Sequence, residues 1–246
     1  MCKNGGSMLS RSIRNLILGI ILLLVWAAAA SAAPAVQIPD DAFDFGKVAQ
    51  HAKVNHTFWI KSTGSDTLRI TAVVPGCGCT QAPLKDSVLA PGDSTSLEIV
   101  FSTLSYRGYI TKRPYLETNA SDEKTYLKIV AELIPYPEEM KPIRLWPHRL
   151  DVSQFTTKPR RRAGFKIENM TDQTLRIIPV DTVSKDFDVT LPDKVGPGET
   201  VEGMVIVHKD AVEKAFEQSI TFELDDEEGS RFSLPVQRKY RPRDED

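Results

Sequence analysis

Thr67-Leu68-Arg69-Ile70 recurs unchanged as Thr174-Leu175-Arg176-Ile177, at an offset of 107 residues. At the same offset Phe43-Asp44-Phe45-Gly46 meets Leu150-Asp151-Val152-Ser153, Phe58-Trp59-Ile60 meets Phe165-Lys166-Ile167, and Val73 meets Val180. Leu89-Ala90-Pro91-Gly92-Asp93 meets Val195-Gly196-Pro197-Gly198-Glu199 one residue out of step. Self-similarity at a fixed spacing is the mark of a repeated structural unit. The chain therefore reads as two copies of one unit, and each copy must build a core from about 100 residues.

Within each copy the apolar residues alternate with polar ones. Val54, His56, Phe58 and Ile60 form one such run, and Leu68, Ile70, Ala72 and Val74 a second. Leu97, Ile99 and Phe101, then Leu127, Ile129, Ala131 and Leu133, continue the pattern. A period of two in short runs predicts half-buried strands. Turn residues separate them at Ser62 to Asp66, Ala90 to Asp93 and Asn119 to Asp122. The second copy repeats the layout through Phe165 and Ile167, Leu175 and Ile177, Val201 to Val207, and Phe232 to Val236, with a last hairpin turning at Asp225 to Ser230. About seven strands in about 100 residues is the size of an immunoglobulin-like β-sandwich. Only Asp210 to Glu217 reads as a helical insert. The expected fold class is all-β: two tandem immunoglobulin-like sandwiches over 34–135 and 143–246. The proline-rich stretch 136–142 is the linker.

The N-terminus has a separate character. Lys3, Arg11 and Arg14 precede the apolar run Leu16 to Val25, and small residues follow to Ala33. Ala30-Ser31-Ala32 forms an A-x-A site, so 1–33 reads as a secretory signal peptide with cleavage marked by Ala30, Ala32 and Ala33. The alternative is an uncleaved anchor, because Leu16 to Ala33 is about long enough to span a bilayer. Cleavage removes three basic residues and no acidic one, which takes the formal net charge from -2 to -5. It also removes Cys2 and leaves Cys77 and Cys79. No later apolar run has membrane-spanning length, so no span is expected after cleavage. The expected location is the periplasm or the extracellular space. A mildly acidic chain is not a nucleic-acid binder, which needs a basic stripe.

The order of motifs resembles a known family. Phe43-Asp44-Phe45-Gly46-Lys47-Val48 opens it, a strand ending near Phe58 and a Thr63-Gly64 turn follow, and Leu68 to Val74 leads into Cys77-Gly78-Cys79-Thr80. Leu89-Ala90-Pro91-Gly92 closes the core. Val36 to Leu133 in this order is similar to the bacterial domain of unknown function 1573 family. The resemblance implies an immunoglobulin-like module of exported proteins, related in fold to major sperm protein and pilus-chaperone domains. It implies no activity. The family usually carries Asn where this chain has Ser62, before Thr-Gly.

Cys77-Gly78-Cys79 is the constellation that could carry chemistry. Pro75 and Gly76 end the preceding strand, which places the pair on a turn at one end of a rigid scaffold. Three readings stand side by side. A bridge across Gly78 is one, since thiols persist poorly in an oxidising compartment and a tight, easily reduced bridge is a redox candidate. Soft-metal binding of copper(I) or zinc by two thiolates is the second, although no further cysteine pair or H-x-x-x-H completes a zinc set. A structural staple is the third. His51 and His56, the nearest histidines in sequence, read as loop and strand residues rather than ligands. Lys158 and Arg160-Arg161-Arg162 read as a solvated basic turn, with Glu168, Asp172 and the Asp225-to-Glu228 turn as neutralising neighbours. Trp59 and Trp146 read as packing residues. Asn55, Asn119 and Asn169 begin N-x-Ser/Thr triplets, a weak glycosylation signal in a bacterial-type chain. No nucleophile, metalloprotease or phosphate-loop motif is present.

The sequence thus predicts an exported, non-enzymatic binding or structural protein of the bacterial envelope, with another envelope protein or peptide as partner and no cofactor. The alternative is a thiol-redox or copper-type metal-handling protein that uses Cys77 and Cys79.

Overall fold

The computed structural model describes residues 32–155 and 160–241. The charged and apolar parts of the expected signal, with Ala30, and Lys158 of the basic run lie outside the described residues. The first half of the chain forms β1 (Val36–Gln37), β2 (Ala42–Ala49), β3 (Lys53–Ser62), β4 (Leu68–Val74), β5 (Thr80–Gln81), β6 (Val88–Leu89), β7 (Ser94–Ser102), β8 (Gly108–Lys112), β9 (Tyr115–Thr118), β10 (Ser121–Tyr126) and β11 (Lys128–Ile134). The second half forms β12 (Ile143–Trp146), β13 (Leu150–Asp151), β14 (Arg162–Asn169), β15 (Leu175–Asp181), β16 (Phe187–Thr190), β17 (Lys194–Val195), β18 (Thr200–Val207), β19 (Phe216–Leu224) and β20 (Arg231–Arg238). Among the described residues there is no α-helix. The expected insert at Asp210 to Glu217 is only a 3-10 turn over Lys209–Ala211, and Phe216 already belongs to β19. Its apolar residues are too few to cover a helical face, and Ala211 alone is buried in that turn.

The alternation decides the layers. In β3, Val54, Phe58, Ile60 and Ser62 point into the core while Trp59 and Lys61 face outward. One sheet orders its strands β1-β3-β7-β5, and its counterpart in the second half orders β12-β14-β18-β16. A short sheet, β10-β9-β4-β6, completes the first sandwich. The largest sheet runs β17-β15-β19-β20-β2-β11-β8 and crosses both halves, with β13 also paired to β20. Strands at the 107-residue offset take equivalent places: β2 runs parallel to β11, and β13 runs parallel to β20. The buried apolar side chains form two clusters. One is built on Phe45, Phe58, Phe101 and Ile129, the other on Phe165, Phe187, Phe222 and Phe232. Ala49 belongs to the second cluster although it sits on β2.

The Phe-Asp-Phe-Gly motif has a clear physical role. Phe43 and Phe45 enter the first core, their rings edge to face at 4.9 Å. Asp44 faces outward and its Oδ1 accepts the Gly46 N–H at 2.7 Å. Asp151 Oδ1 accepts the Ser153 N–H at the same distance in the second half. Two β2 residues, Phe45 and Gly46, lie opposite the single Ala131 of β11, a β-bulge. Gly46 takes φ +63° there, a left-handed conformation that side chains with a Cβ rarely adopt.

The turn after β3 differs between the halves by one residue. Asn169 is buried, and its Nδ2 donates to the carbonyls of Gln173, Val195 and Gly196 at 2.7–3.1 Å. Its Oδ1 accepts from Thr171 N–H and Oγ1. The equivalent Ser62 is 1% exposed and its Oγ has no hydrogen-bond partner among the described residues. A buried hydroxyl without a partner is destabilising. Ser62→Asn is therefore expected to stabilise the first half by about 1 kcal/mol. A urea midpoint that is unchanged or lower would show that the turn carbonyls are out of reach.

Two other expectations change. Trp59 is 56% and Trp146 61% exposed, so neither is a core packing residue. Each sits at an outward position of a strand whose inward neighbours are Phe58 and Ile60, or Leu145. Glu168 pairs with Arg144 and Asp225 with Arg176, not with the Arg160–Arg162 run. The Arg161 Nε instead donates to the Val207 carbonyl at 3.0 Å.

Candidate functional site

The turn after β4 brings Cys77 and Cys79 together. Leu68 to Val74 carries the chain to the end of the sandwich, where Gly76 takes φ +81° and reverses it. An added Cβ at Gly76 would lie 3.2 Å from the Arg113 carbonyl, so the turn rests closely against the end of β8. The backbone at Gly78 sets the two cysteine Cα atoms 5.2 Å apart, within the range a bridge needs, and their sulfurs are bonded. Cys79 is buried against the first core and Cys77 is half-buried beside it. The Thr80 hydroxyl, itself buried, donates to Cys77 Sγ at 3.2 Å and lies 3.9 Å from Cys79 Sγ. Backbone bonds hold the turn on both sides: Thr80 N–H donates to the Cys77 carbonyl, and Ser102 N–H to the Cys79 carbonyl at 2.8 Å. β5, which begins at Thr80, then pairs with β7.

β8 lies on the other side of that turn and, among the described residues, forms an open edge. Pro114 divides what would be one strand into β8, which pairs with β11, and β9, which pairs with β4. Pro has no N–H to give a ladder, so the pairing changes there. β4, which belongs to the other sheet, ends at Val74, and β8 is the end strand of its own sheet. The matching stretch of the second half is not open. Lys112 lies opposite Ile129, and Gln218 lies opposite Val236, the residue 107 positions on. Beside Gln218, Ser219 N–H donates to Asn55 Oδ1 at 2.7 Å, and Asn55 N–H donates to Ser219 Oγ at 3.0 Å. Glu217 also pairs with Lys53. Strand β3 of the first half thus covers that edge of the second. Around the open β8 edge, Leu104, Tyr106 and Tyr109 are exposed, Tyr109 to 79%.

The histidines do not join the cysteines. His56 stacks on Phe43 at 3.7 Å, and its Nδ1 lies 2.5 Å from Asp181 Oδ2 across the two halves. His51 sits in a loop with φ +57° and offers its carbonyl to Arg149. Burial pushes the His148 imidazole below its ordinary pKa, and the hydrogen bond with Asp188 raises that of His208. No group of three or more His, Cys, Asp or Glu among the described residues could hold a metal ion. A cleft of about 930 Å³ next to His56 is lined by residues of both halves, among them Trp59, Lys61, Val180, Val183 and Lys185. The three asparagines of the N-x-Ser/Thr triplets are engaged in the fold. Asn55 bridges the halves, Asn119 Oδ1 accepts the Arg69 N–H, and Asn169 holds its turn.

Residues 36–133 match the model of the family described as Protein of unknown function (DUF1573). This stretch, less than half of the chain, is similar to that family. The matched stretch contains the cysteine turn, the β8 edge and the Phe-Asp-Phe-Gly bulge. No curated protein is significantly similar to the chain. Among solved structures, a protein of unknown function from Porphyromonas gingivalis W83 is 12% identical over 83% of this chain and 99% of its own, with a TM-score of 0.36. The YadV chaperone is 10% identical over 82% of this chain and 98% of its own, at 0.30. A PapD-like domain of human CEP192 is 11% identical over 41% of this chain and 85% of its own, at 0.34. Among the described residues no helix is long and apolar enough to cross a membrane.

The sequence located the cysteine turn but not the open edge or the asparagine–serine bridge. Pro114, inside an otherwise strand-like stretch from Tyr109 to Thr118, was the available signal for the edge.

Proposed function

We propose that this chain is an exported, non-enzymatic binding protein of the bacterial envelope that captures an extended segment of another envelope protein along β8. In this reading a signal peptide, 1–33, precedes two duplicated immunoglobulin-like modules, 34–135 and 143–246, joined by 136–142. The observation that carries the reading is the difference between the two halves: the edge that β3 covers on β19 is left open on β8. An edge strand presents unpaired backbone groups, and an added strand gains main-chain hydrogen bonds while neighbouring apolar side chains supply specificity. Leu104, Tyr106 and Tyr109 are placed to supply it.

A photo-reactive phenylalanine analogue at Tyr109 tests this in living cells. A discrete cross-linked product is expected from position 109 and none from position 183, where Val183 is 94% exposed on the other half. Products of equal yield at both sites, or none at 109, would sink the proposal. Terminal sequencing of the exported protein is expected to begin near Ala33 or Pro34. An intact Met1 start in every cell fraction would remove the cleaved-signal reading and leave the uncleaved anchor.

A further inference from the structure

The geometry points to Cys77–Cys79 as a thiol–disulfide exchange site that accepts electrons from protein dithiols. Three features of the cysteine turn and of the β8 end beside it support this, and none of them needs a strand captured along β8.

The two cysteines differ in exposure. Cys77 is half-buried, whereas Cys79 is 9% exposed and packed into the first core. Gly78 between them has open space around it, since an added Cβ would meet nothing within 4 Å. An incoming thiolate therefore reaches Cys77 Sγ, and the sulfur that is reached decides the course of exchange. The second feature is the Thr80 hydroxyl. It is 4% exposed, and the hydrogen bonds it makes run to the two sulfurs. A buried O–H held between two sulfurs can turn toward whichever becomes a thiolate, and hydrogen bonds to an ionised acceptor are the stronger kind. The third is charge. A cleft of about 570 Å³ beside the turn is lined by Gly76, Thr111, Lys112, Arg113 and Lys128, three cations and no carboxylate. Cationic surroundings raise the thiolate fraction of a cysteine, and so of a thiol held there. The bonds from Thr80 N–H and Ser102 N–H anchor the turn by its backbone, so it keeps its place when the bridge opens.

The chemistry balances without a further reagent. A substrate thiolate attacks Cys77 Sγ, a substrate–Cys77 bond forms, and the Cys77–Cys79 bond breaks. The electron pair leaves on Cys79 Sγ, which accepts the Thr80 hydrogen bond. A second thiolate of the same substrate attacks the substrate sulfur of this mixed disulfide, and Cys77 leaves as thiolate. The substrate dithiol has lost two electrons and become a disulfide, and Cys77 and Cys79 have gained them. The protons of the two substrate thiols pass to solvent or to Cys77 and Cys79. A disulfide such as oxidised glutathione restores the bridge by the reverse steps.

The test uses the full chain carrying Cys2→Ser, so that Cys77 and Cys79 are the only cysteines, and a short reduced peptide bearing two cysteines. Alkylation with mass spectrometry is expected to show one peptide disulfide formed for each protein bridge lost, under conditions where near-ultraviolet circular dichroism reports a folded protein. Single variants treated with oxidised glutathione give the order of attack. Cys79→Ser, with Cys77 free, is expected to acquire glutathione at least about tenfold faster than Cys77→Ser, because access governs the rate. Thr80→Val, which keeps the shape and removes the hydroxyl, is expected to slow peptide oxidation with an unchanged melting midpoint. A bridge that opens only where the protein unfolds, or equal labelling of the two single variants, overturns the inference.

Discussion

Arg238→Ala is expected to lower the stability of the second half by about 3–5 kcal/mol, the cost of breaking a buried charged network. Arg238 ends β20 at an inward position and is 1% exposed. Its five hydrogen bonds to described residues all end on uncharged oxygens. Nε donates to the Val212 carbonyl at 3.1 Å, Nη1 to the carbonyls of Val152 and Arg160, and Nη2 to Val212 again and to Gln154 Oε1 at 2.7 Å. Burial lowers its pKa from the ordinary guanidinium value. The side chain therefore ties β20 to the segment after β13, the approach to β14 and the turn before β19. Alanine would leave these acceptors without their donors and a cavity the size of the lost side chain. Arg238→Lys should recover less than half of the loss, because an ammonium has three donors and lacks the planar fork. Urea unfolding followed by circular dichroism measures both variants. A midpoint for Arg238→Ala equal to that of the parent would show that water replaces the guanidinium at no cost.

Arg238 also illustrates what the sequence left hidden. The period-two runs were readable because burial acts on alternate residues, so Val54 to Ile60 and Leu68 to Val74 became β3 and β4. The strands at the 107-residue offset were readable for the same reason, since strands in matching places need the same inward residues. β10 was not, because Ser121 to Tyr126 is polar and exposed, and its pairing with β9 leaves no apolar signature. The contacts between the halves were hidden for a different reason. Asn55 with Ser219, His56 with Asp181 and Lys53 with Glu217 are polar pairs between residues far apart in the chain. Nothing local marks such a pair. The cysteine turn was readable from Pro75-Gly76 and the C-G-C spacing, but Thr80 was not, because its part depends on a distance and on burial. From the sequence Trp59 reads as packing because an aromatic in a strand is normally inward, but its neighbours Phe58 and Ile60 hold the inward positions.

The junction of the two halves has a second sensitive residue, and its test separates conformation from contact. β2 meets β20 at Lys47 and Phe232, Ser233 Oγ donates to the Phe45 carbonyl at 2.7 Å, and Arg231 Nη1 to the Asp44 carbonyl at 3.2 Å. Gly46 lies in the middle of this approach. An added Cβ there would fall 2.1 Å from the Arg231 carbonyl oxygen, closer than any real contact, and the obstructing atoms include backbone that cannot swing aside. Gly46→Ala therefore incurs two costs. The left-handed backbone costs about 1–2 kcal/mol for a residue with a Cβ, and the forced displacement of β20 about 1–3 kcal/mol more. Gly92→Ala isolates the first cost, because Gly92 has φ +87° and an added Cβ there meets nothing within 4 Å. Urea unfolding is expected to show Gly46→Ala as clearly less stable than Gly92→Ala. Small-angle scattering is expected to show a larger radius of gyration for Gly46→Ala alone, as β2 and β20 separate and the halves lose their shared sheet. Equal stabilities with equal radii would mean that the contact at Gly46 relaxes without parting the strands, and that the largest sheet does not hold the two halves together.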